Sequence, residues 1–518
     1  MNTFLNKLLN YYALSKDDFA YLTRPLSLND VRFDQKLLNI DKIKKRIFKA
    51  IENKEKIIVY GDYDCDGIMS LAIITKTLEK LNSKISYYAP SRYLDGYGLT
   101  TNRVEDIIKG GYSLIILVDN GISAFDAIKL AKEHNIDTIV VDHHEVQDTL
   151  PDAYAILHPS LSKLGDIAAS AGLMSFILSC ALLDEVDPYL LSLAGISTIS
   201  DMMPLVSYNR DVVRLTIKYL NENTYPQITA LVGHKEIDEK VIAMEIAPRI
   251  NAIGRVDETT KINRLVKYFV SEDIRLIHQY ARYIDEINES RKKMTKEIVD
   301  NLVVEEDVSG IVLNLDIKEG LIGLIANRLV NEYQVPTIVF TSNDLDKDVL
   351  KGSIRSKEGF NVIKAFGSLE KYLLTYGGHI FAGGVSIKKS DFENFKKDFI
   401  HLAKTYQFIE SDEKILTIQK EDINFVNYEA IRKFAPFGEG FKAPLFVLEN
   451  VNTSNLTYIS NDKHLSVLLD NSAKILGFYL PKKELSKYEF INLYGHIIMN
   501  EYRGKYTVEF RVLNYKNN

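Results

Sequence analysis

The chain has 518 residues, 46% of them apolar, with 64 basic against 70 acidic side chains and a formal charge of −6. That length predicts three or more domains, no stretch nears the ~20 uninterrupted apolar residues of a membrane span, and the opening MNTFLNKLLNYYALSKDD lacks the order of a secretory signal. Cys65 and Cys180 are the two cysteines, too few for a disulfide framework or a zinc spacing, so the expectation is a reduced, cytoplasmic protein without a membrane partner.

Residues 1–50 read as a helical lead-in, ending in DKIKKRIFKAIENKEK with Ile43, Ile47, Phe48 and Ile51 on one face. From 51 to 265 the apolar runs KIIVYGD, KISYYAP, SLIILVD and DTIVVDHH alternate with helical stretches such as MSLAIITKTLEKL and AFDAIKLAKEHN. Continuous Ile/Val runs between helices predict strands buried on both faces, hence an α/β domain with a doubly wound parallel sheet. Ligands of such sheets sit beyond the carboxyl ends of the strands. A connecting helix is expected within 266–305, starting at Ser271 and carrying the stripe Ile274, Ile277, Ala281, Ile284, Ile287, Met294, Ile298 and Leu302. A second α/β subdomain follows over 306–405, with GIVLNL, the helical GLIGLIANRLVNEY, TIVFTS and a glycine-rich segment at 377–384. Over 410–518 the pattern changes to five short strands with turn signals, which predicts an OB-like β-barrel.

Acid collects behind the apolar runs of the first α/β domain. Asp62, Asp64 and Asp66 follow IIVYG, Asp119 closes LIILV, Asp142 with His143 and His144 closes TIVV, and Asp201 ends LAGISTISDMMPL. A single Asp after a strand is more often a cap or turn former than a ligand. Four acidic clusters, all read as strand ends, are hard to obtain by capping alone. Isolated buried carboxylates cost several kcal/mol each, on the order of an uncompensated buried polar group or more. Two divalent cations remove that cost, and carboxylates with imidazole suit Mn²⁺ or Mg²⁺.

GDYDCDG, VDNG, VVDHHE and ISDMMPL, in this order, resemble the four motifs of the DHH phosphoesterase superfamily. GSIRS at 352–356 and GGHIFAGG at 377–384 resemble its associated C-terminal subdomain, and SRYLDGYGL, APRINAIGR, GLIGLIANRLV and APFGEGFKAPLF are similar to segments of its RecJ family of single-strand-specific exonucleases. The resemblance spans roughly residues 50 to 518. It implies Asp64, Asp66, Asp119, His143 and Asp201 as ligands of two metals, with Asp119 the bridge. Asp62 stands near a histidine of other members and is assigned to the metal and catalytic set, as are Asp142 and His144 to the catalytic one. His144 would contact the phosphate or orient the attacking water. Arg92, Ser353, Arg355 and His379 fall in segments that hold phosphates in the family, and Arg249, Arg255 and Arg328 are weaker substrate-binding candidates. Two departures stand out: Phe441-Lys442 after GEG, and the lack of an aromatic and a His in LDIKEGLIG.

The implied activity is hydrolysis of single-stranded DNA from the 5′ end in repair and recombination, with a single-stranded-DNA-binding protein and a helicase as candidate partners. Tyr458, Phe478, Tyr479, Tyr494, Tyr502 and Tyr506 could stack unpaired bases, although 30 tyrosines in the chain make core packing the plainer reading for many. Two rival readings are a nanoRNase or nucleotide phosphatase of the same superfamily, which would lack the C-terminal strands, and an inactive replication scaffold, which should have lost several of the acids.

Overall fold

A computed structural model describes residues 3–32, 37–96, 98–165, 167–256, 260–304, 308–343, 346–357, 359–405, 414–470, 472–502 and 504–517. Contacts divide the chain into two compact units. One comprises Met1–Leu26, Pro204–Val206 and Asp412–Asn518, and the other Ser27–Met203 and Ser207–Ser411. Among the described residues no helix is long and apolar enough to cross a membrane.

In the larger unit, β1 (Ile57–Tyr60), β2 (Ile85–Tyr88), β3 (Leu114–Val118), β4 (Asp137–Val141) and β5 (Ala155–Leu157) form one sheet in the order β2-β1-β3-β4-β5. Every pairing is parallel. β1 and β3 are buried at every position, as their unbroken Ile/Val/Leu runs require. This strand order reverses direction between β1 and β3, and ligands of doubly wound sheets bind at that switch point. β1 and β3 are the strands that lead into Asp62-x-Asp64-x-Asp66 and Asp119.

The helix Ile40–Glu52 buries Ile40, Ile43, Ile47 and Ala50 together with Arg46. The buried stripe therefore excludes Phe48 and Ile51, contrary to the periodicity reading. Arg46 is tolerated inside because its guanidinium meets Glu55 at 2.7 Å and Asp137 at 2.5 Å. The connecting helix runs Ile274–Asp300 with Asp273 as its N-cap, so it starts three residues beyond Ser271, and Leu302 falls outside. Of the expected stripe, Ile277, Ala281 and Ile284 are buried, whereas Ile274 is exposed.

A second sheet follows: β6 (Ile311–Asn314), β7 (Thr337–Ser342), β8 (Val349–Arg355), β9 (Leu373–Gly378) and β10 (Ala382–Lys388), ordered β6-β7-β8-β10-β9. Only β6–β7 is parallel. The alternation of β7 separates two cores. Val339 joins Leu321, Ile325 and Leu329 of the helix Glu319–Tyr333, and Ile338 and Phe340 join Phe366, Phe395 and Phe399.

In the smaller unit β11 (Ile415–Ile418), β12 (Leu445–Asn452), β13 (Tyr458–Ile459), β14 (His464–Leu468), β15 (Ala473–Gly477), β16 (Phe490–Tyr502) and β17 (Lys505–Asn517) form one sheet ordered β11-β12-β16-β17-β15-β14-β13. The five expected strands gain two, β11 and β13. The helix Thr3–Tyr11 contributes Phe4, Leu8 and Leu9 to this unit's core beside Phe446 and Phe510. Part of the lead-in thus belongs with residues 400 positions away. The Phe441 departure has a packing reason: its ring stacks on Tyr12 at 4.7 Å and on Phe437 at 6.2 Å.

Candidate metal centre

Each ligand candidate is held by a backbone arrangement that the local sequence dictates. Asp64 caps the helix Cys65–Lys80, accepting from the Gly67 N–H at 3.1 Å. A Cβ on Gly67 would lie 2.7 Å from the Asp62 backbone, so only glycine lets this helix start so close behind β1. Asp66, in the first turn, accepts from the N–H groups of Ala171 (2.9 Å) and Gly172 (2.8 Å) and from the Ser197 hydroxyl (2.5 Å). Asp119 takes φ +60°, a left-handed conformation that aspartate tolerates better than most residues. Its N–H is tied to the Val141 carbonyl at 3.0 Å. Gly121, at φ +115°, turns the chain so that the Ile122 N–H donates to Asp142 Oδ2 at 2.9 Å. Asp201 is not at a strand end as the sequence suggested. It caps the C-terminus of the helix Pro188–Ser200, whose burial on all sides removes the amphipathic period that would have marked it as a helix.

These elements bring the acids together. His143 Nε2 lies 3.5 Å from Asp66, 3.3 Å from Asp119 and 3.5 Å from Asp201. Among the described residues three donor groups that could each hold a metal ion result, Asp62/Asp64/Asp119, Asp66/His143/Asp201 and Asp119/His143/His144, with ligand atoms within 4.8 Å of one another in each group. Asp119 stands in the first and third and lies beside His143 of the second. Asp62 Oδ1, Asp119 Oδ1 and Asp201 Oδ2 are buried and receive no hydrogen bond. Oxygen atoms of that kind are what a hard divalent cation satisfies, so the donor set fits Mn²⁺ or Mg²⁺. Asp142 differs from its neighbours. Its Oδ1 accepts from the His143 and His144 N–H groups at 2.7 and 3.2 Å and from His144 Nδ1 at 2.8 Å.

The electrostatics follow from burial and crowding. Burial, then the Asp64 charge, pushes Asp62 up to about 8. Burial, then Asp66 and Asp64, pushes Asp201 up to about 8, an effect softened by the 31% exposure of its side chain. Asp119 is raised well above the carboxylate range by burial and its four acidic neighbours. Burial alone would raise Asp142 and lower His144, but their mutual hydrogen bond wins, taking Asp142 down to about 2 and His144 up to about 9.

A stability prediction follows. Without metal, the folded protein keeps protons on Asp62 and Asp201 that the unfolded chain releases above its ordinary value of 3.8. Stability must therefore fall as pH rises from about 4 to about 8. We expect the melting midpoint of metal-free protein to drop between pH 5 and 8.5, and Mn²⁺ to raise it more at pH 8.5 than at pH 5, where it must displace protons. A Mn²⁺ effect that is larger at pH 5 contradicts the ligand set.

A cavity of about 310 Å³ is lined by Arg92, Arg255, Glu319, Lys351, Ser353 and Arg355, among others. It joins the first α/β domain to the second sheet within the larger unit. Alternation along β8 sets Lys351, Ser353 and Arg355 on one face, and this strand, paired to β7 and β10, presents that face to the cavity. Arg355 is oriented by Ser353 Oγ (2.9 Å), and the Arg92 guanidinium lies over the Tyr63 ring at 4.2 Å. Gly320 and Gly323 allow the helix Glu319–Tyr333 to approach, since a Cβ would sit 2.2 Å from the Arg255 carbonyl and 3.0 Å from Arg355, respectively. Burial, then Arg92 and Arg355, brings Arg255 down to about 10, which marks a cluster of like charges suited to an anion.

Three sequence candidates lie outside the cavity lining. Arg249 pairs with Asp285 at 2.8 Å and Arg328 with Asp300 at 3.5 Å, both tying elements to the connecting helix. His379 sits exposed in the turn of the β9–β10 hairpin, directly after β9 ends at Gly378 and three residues before β10 starts at Ala382. Sequence reasoning missed Ser197, which holds Asp66, and Asn251, whose Oδ1 accepts from the Cys65 N–H at 2.8 Å. It also missed Glu319, which ties down Lys351 at 2.9 Å. Asn251 lies in APRINAIGR, where the arginines drew the attention.

Family models match in the same order as these parts: the DHH family N-terminal domain over residues 56–197, the DHHA1 domain over 307–405 and the RecJ OB domain over 416–514. The chain is 32% identical over 490 residues to the single-stranded-DNA-specific exonuclease RecJ of Bacillus subtilis, covering 89% of this chain and 61% of that one. The chain thus carries, in order, a DHH domain, a DHHA1 domain and a RecJ OB domain, and is similar to RecJ over most of its length. RecJ of Haemophilus influenzae is 28% identical, with 84% of this chain and 82% of that one covered. The crystal structure of Thermus thermophilus RecJ in complex with Mn²⁺ superposes with a TM-score of 0.82 over 99% of this chain and 78% of that one, at 22% identity, and so shares the fold. A second RecJ crystal structure, bound to manganese, is 25% identical with a TM-score of 0.62, covering 74% of this chain and 97% of that one.

Proposed function

We propose that the chain is a metal-dependent exonuclease hydrolysing the phosphodiester bonds of single-stranded DNA from the 5′ end, in DNA repair and recombination. The observation that carries this reading is the cluster of donor groups around Asp119 and His143, with Arg92 and Arg255 of the cation-lined cavity close enough for their charges to act on Asp62 and Asp64. Asp62, Asp64 and Asp119 would hold one cation, and Asp66, His143 and Asp201, with Asp119 beside them, the other. When bound, they supply an acidified water as nucleophile and neutralise charge on the phosphate and the leaving oxygen.

The chain's own residues do the rest. Asp142 accepts the hydrogen bond of His144 Nδ1–H, so Nε2 is the ring atom left to meet a phosphate or orient a water. Arg92, Arg255 and Arg355 offer planar forks to phosphate oxygens, and Ser353 steadies one of them. In the smaller unit Phe478 and Tyr479 are exposed, His464 meets both rings edge-on, and the Arg511 guanidinium lies 5.0 Å over Phe478. That combination suits stacking of unpaired bases. Tyr458 and Tyr494 are half-buried, Tyr506 is exposed, and the Tyr502 side chain lies outside the described residues. A single-stranded-DNA-binding protein and a helicase are the proposed companions, because an enzyme that consumes single strands needs a source of them. Cys65 and Cys180 are both buried and form no disulfide, which supports a cytoplasmic setting.

Oligonucleotides labelled at either end test the proposal. With Mn²⁺, a 5′ label on a single strand should leave early as a mononucleotide, a 3′-labelled strand should shorten progressively, and blunt duplex should resist. Early release of a 3′ label, or equal digestion of duplex, overturns it.

A further inference from the structure

The turn that carries His143 and His144 leaves β4 without regular structure to hold it. Asp142 secures its first half by the bonds already given. The second half is secured from β5. His158, 4% exposed and directly after β5 at Leu157, places Nε2 2.8 Å from the His144 carbonyl oxygen. Its other ring nitrogen, Nδ1, meets the Ser160 backbone N–H at 3.3 Å and the Ser160 hydroxyl at 3.0 Å. A backbone N–H can only donate, so Nδ1 is the acceptor and the ring proton resides on Nε2, which donates to His144. The His158 backbone is itself fixed: its N–H donates to Ser162 Oγ at 3.0 Å, and its carbonyl accepts from Ser162 N at 2.8 Å. Both ring nitrogens are thus committed, and nothing in the arrangement lets the imidazole turn.

We infer that His158 is a positioning residue of the nuclease centre, fixing through its Nε2–H the peptide of His144 and with it both histidine rings. The inference rests on the metal-centre reading. His143 stands 3.3–3.5 Å from three carboxylates, so a small rotation of the turn would spoil several contacts at once. Losing the donor would also strand a carbonyl beside the ring it carries. Misplacement by about 1 Å costs on the order of 10²-fold in rate, and outer partners of metal ligands are typically worth 10–100-fold in affinity or activity.

The test compares, in the full chain, His158→Phe, which keeps a ring but no donor, with His158→Gln, which keeps an N–H. We expect the Phe variant to lose about 30–100-fold in kcat with KM within about 3-fold, and to bind Mn²⁺ about 10-fold more weakly by calorimetry. The Gln variant should recover most of both, although the two variants melt alike. Equal losses in the two variants that track their melting midpoints would make the role structural and overturn the inference, as would a Phe variant within about 3-fold of the parent in kcat. If the Phe variant does not fold, His158→Leu replaces it in the same comparison. Separately, ¹⁵N shifts of the His158 ring should report the Nε2–H tautomer in metal-free protein, and the Nδ1–H form contradicts the inference without any assay. Absence of Mn²⁺-dependent hydrolysis in the unmodified protein would instead count against the metal-centre reading.

Discussion

Asp119→Asn should abolish hydrolysis, by at least about 10³-fold, which exceeds the 10–100-fold typical of outer partners because on the proposed reading Asp119 serves both metals. Asparagine is the informative replacement. Asp119 sits at φ +60°, where alanine would add backbone strain of about 1–2 kcal/mol and confuse the stability readout. Asparagine tolerates that conformation and removes only the charge. In metal-free protein the substitution should raise the melting midpoint, since Asp119 is crowded by Asp66, Asp64, Asp62 and Asp142 in a buried site. With saturating Mn²⁺ the order should reverse, the parent gaining more than the variant. Turnover within tenfold of the parent would show that Asp119 is not shared between metals.

Arg355→Ala should raise KM for single-stranded oligonucleotides by about 10–100-fold, the range set by losing hydrogen bonds to a charged group. Folding should be spared. Arg355 is lowered by burial, and it in turn lowers Arg255, so removing it relieves like-charge crowding in the substrate-free cavity. Arg355→Lys should recover little, because a point charge cannot reproduce the fork. Steady-state kinetics and melting curves decide the matter together: a large fall in midpoint with unchanged KM would make Arg355 a structural residue.

The acidic cluster that the fold brings together could be read from sequence because capping and turn formation ask for far fewer carboxylates than stand there. A buried parallel strand ends equally well in Gly or Ser, so Asp62, Asp64, Asp66 and Asp119 behind Ile/Val runs needed a chemical reason. Asp201 was assigned to the right cluster but to the wrong element, since a helix buried on every side shows no 3.6-residue period to distinguish it from a strand. The strand bearing Arg355 was hidden for a related reason. Gly352 occupies one of its inward positions and broke the alternation that Leu350 and Ile354 would otherwise have displayed. Long-range associations left no local trace at all. Phe4 has a helical neighbourhood in the sequence, but its partner Phe446 is identified only by the folded core. The bonds that steady the ligands, from Ser197 and Asn251, were invisible because serine and asparagine satisfy many buried positions and neither spacing nor composition singles them out.

The central claim is that one buried cluster holds two cations through a shared Asp119. Anomalous scattering from crystals soaked in Mn²⁺ tests it most directly. The account predicts two manganese peaks in each molecule, one bound by Asp62, Asp64 and Asp119 and the other by Asp66, Asp119, His143 and Asp201. A single peak, or two peaks with Asp119 bound to neither or to only one, would contradict it.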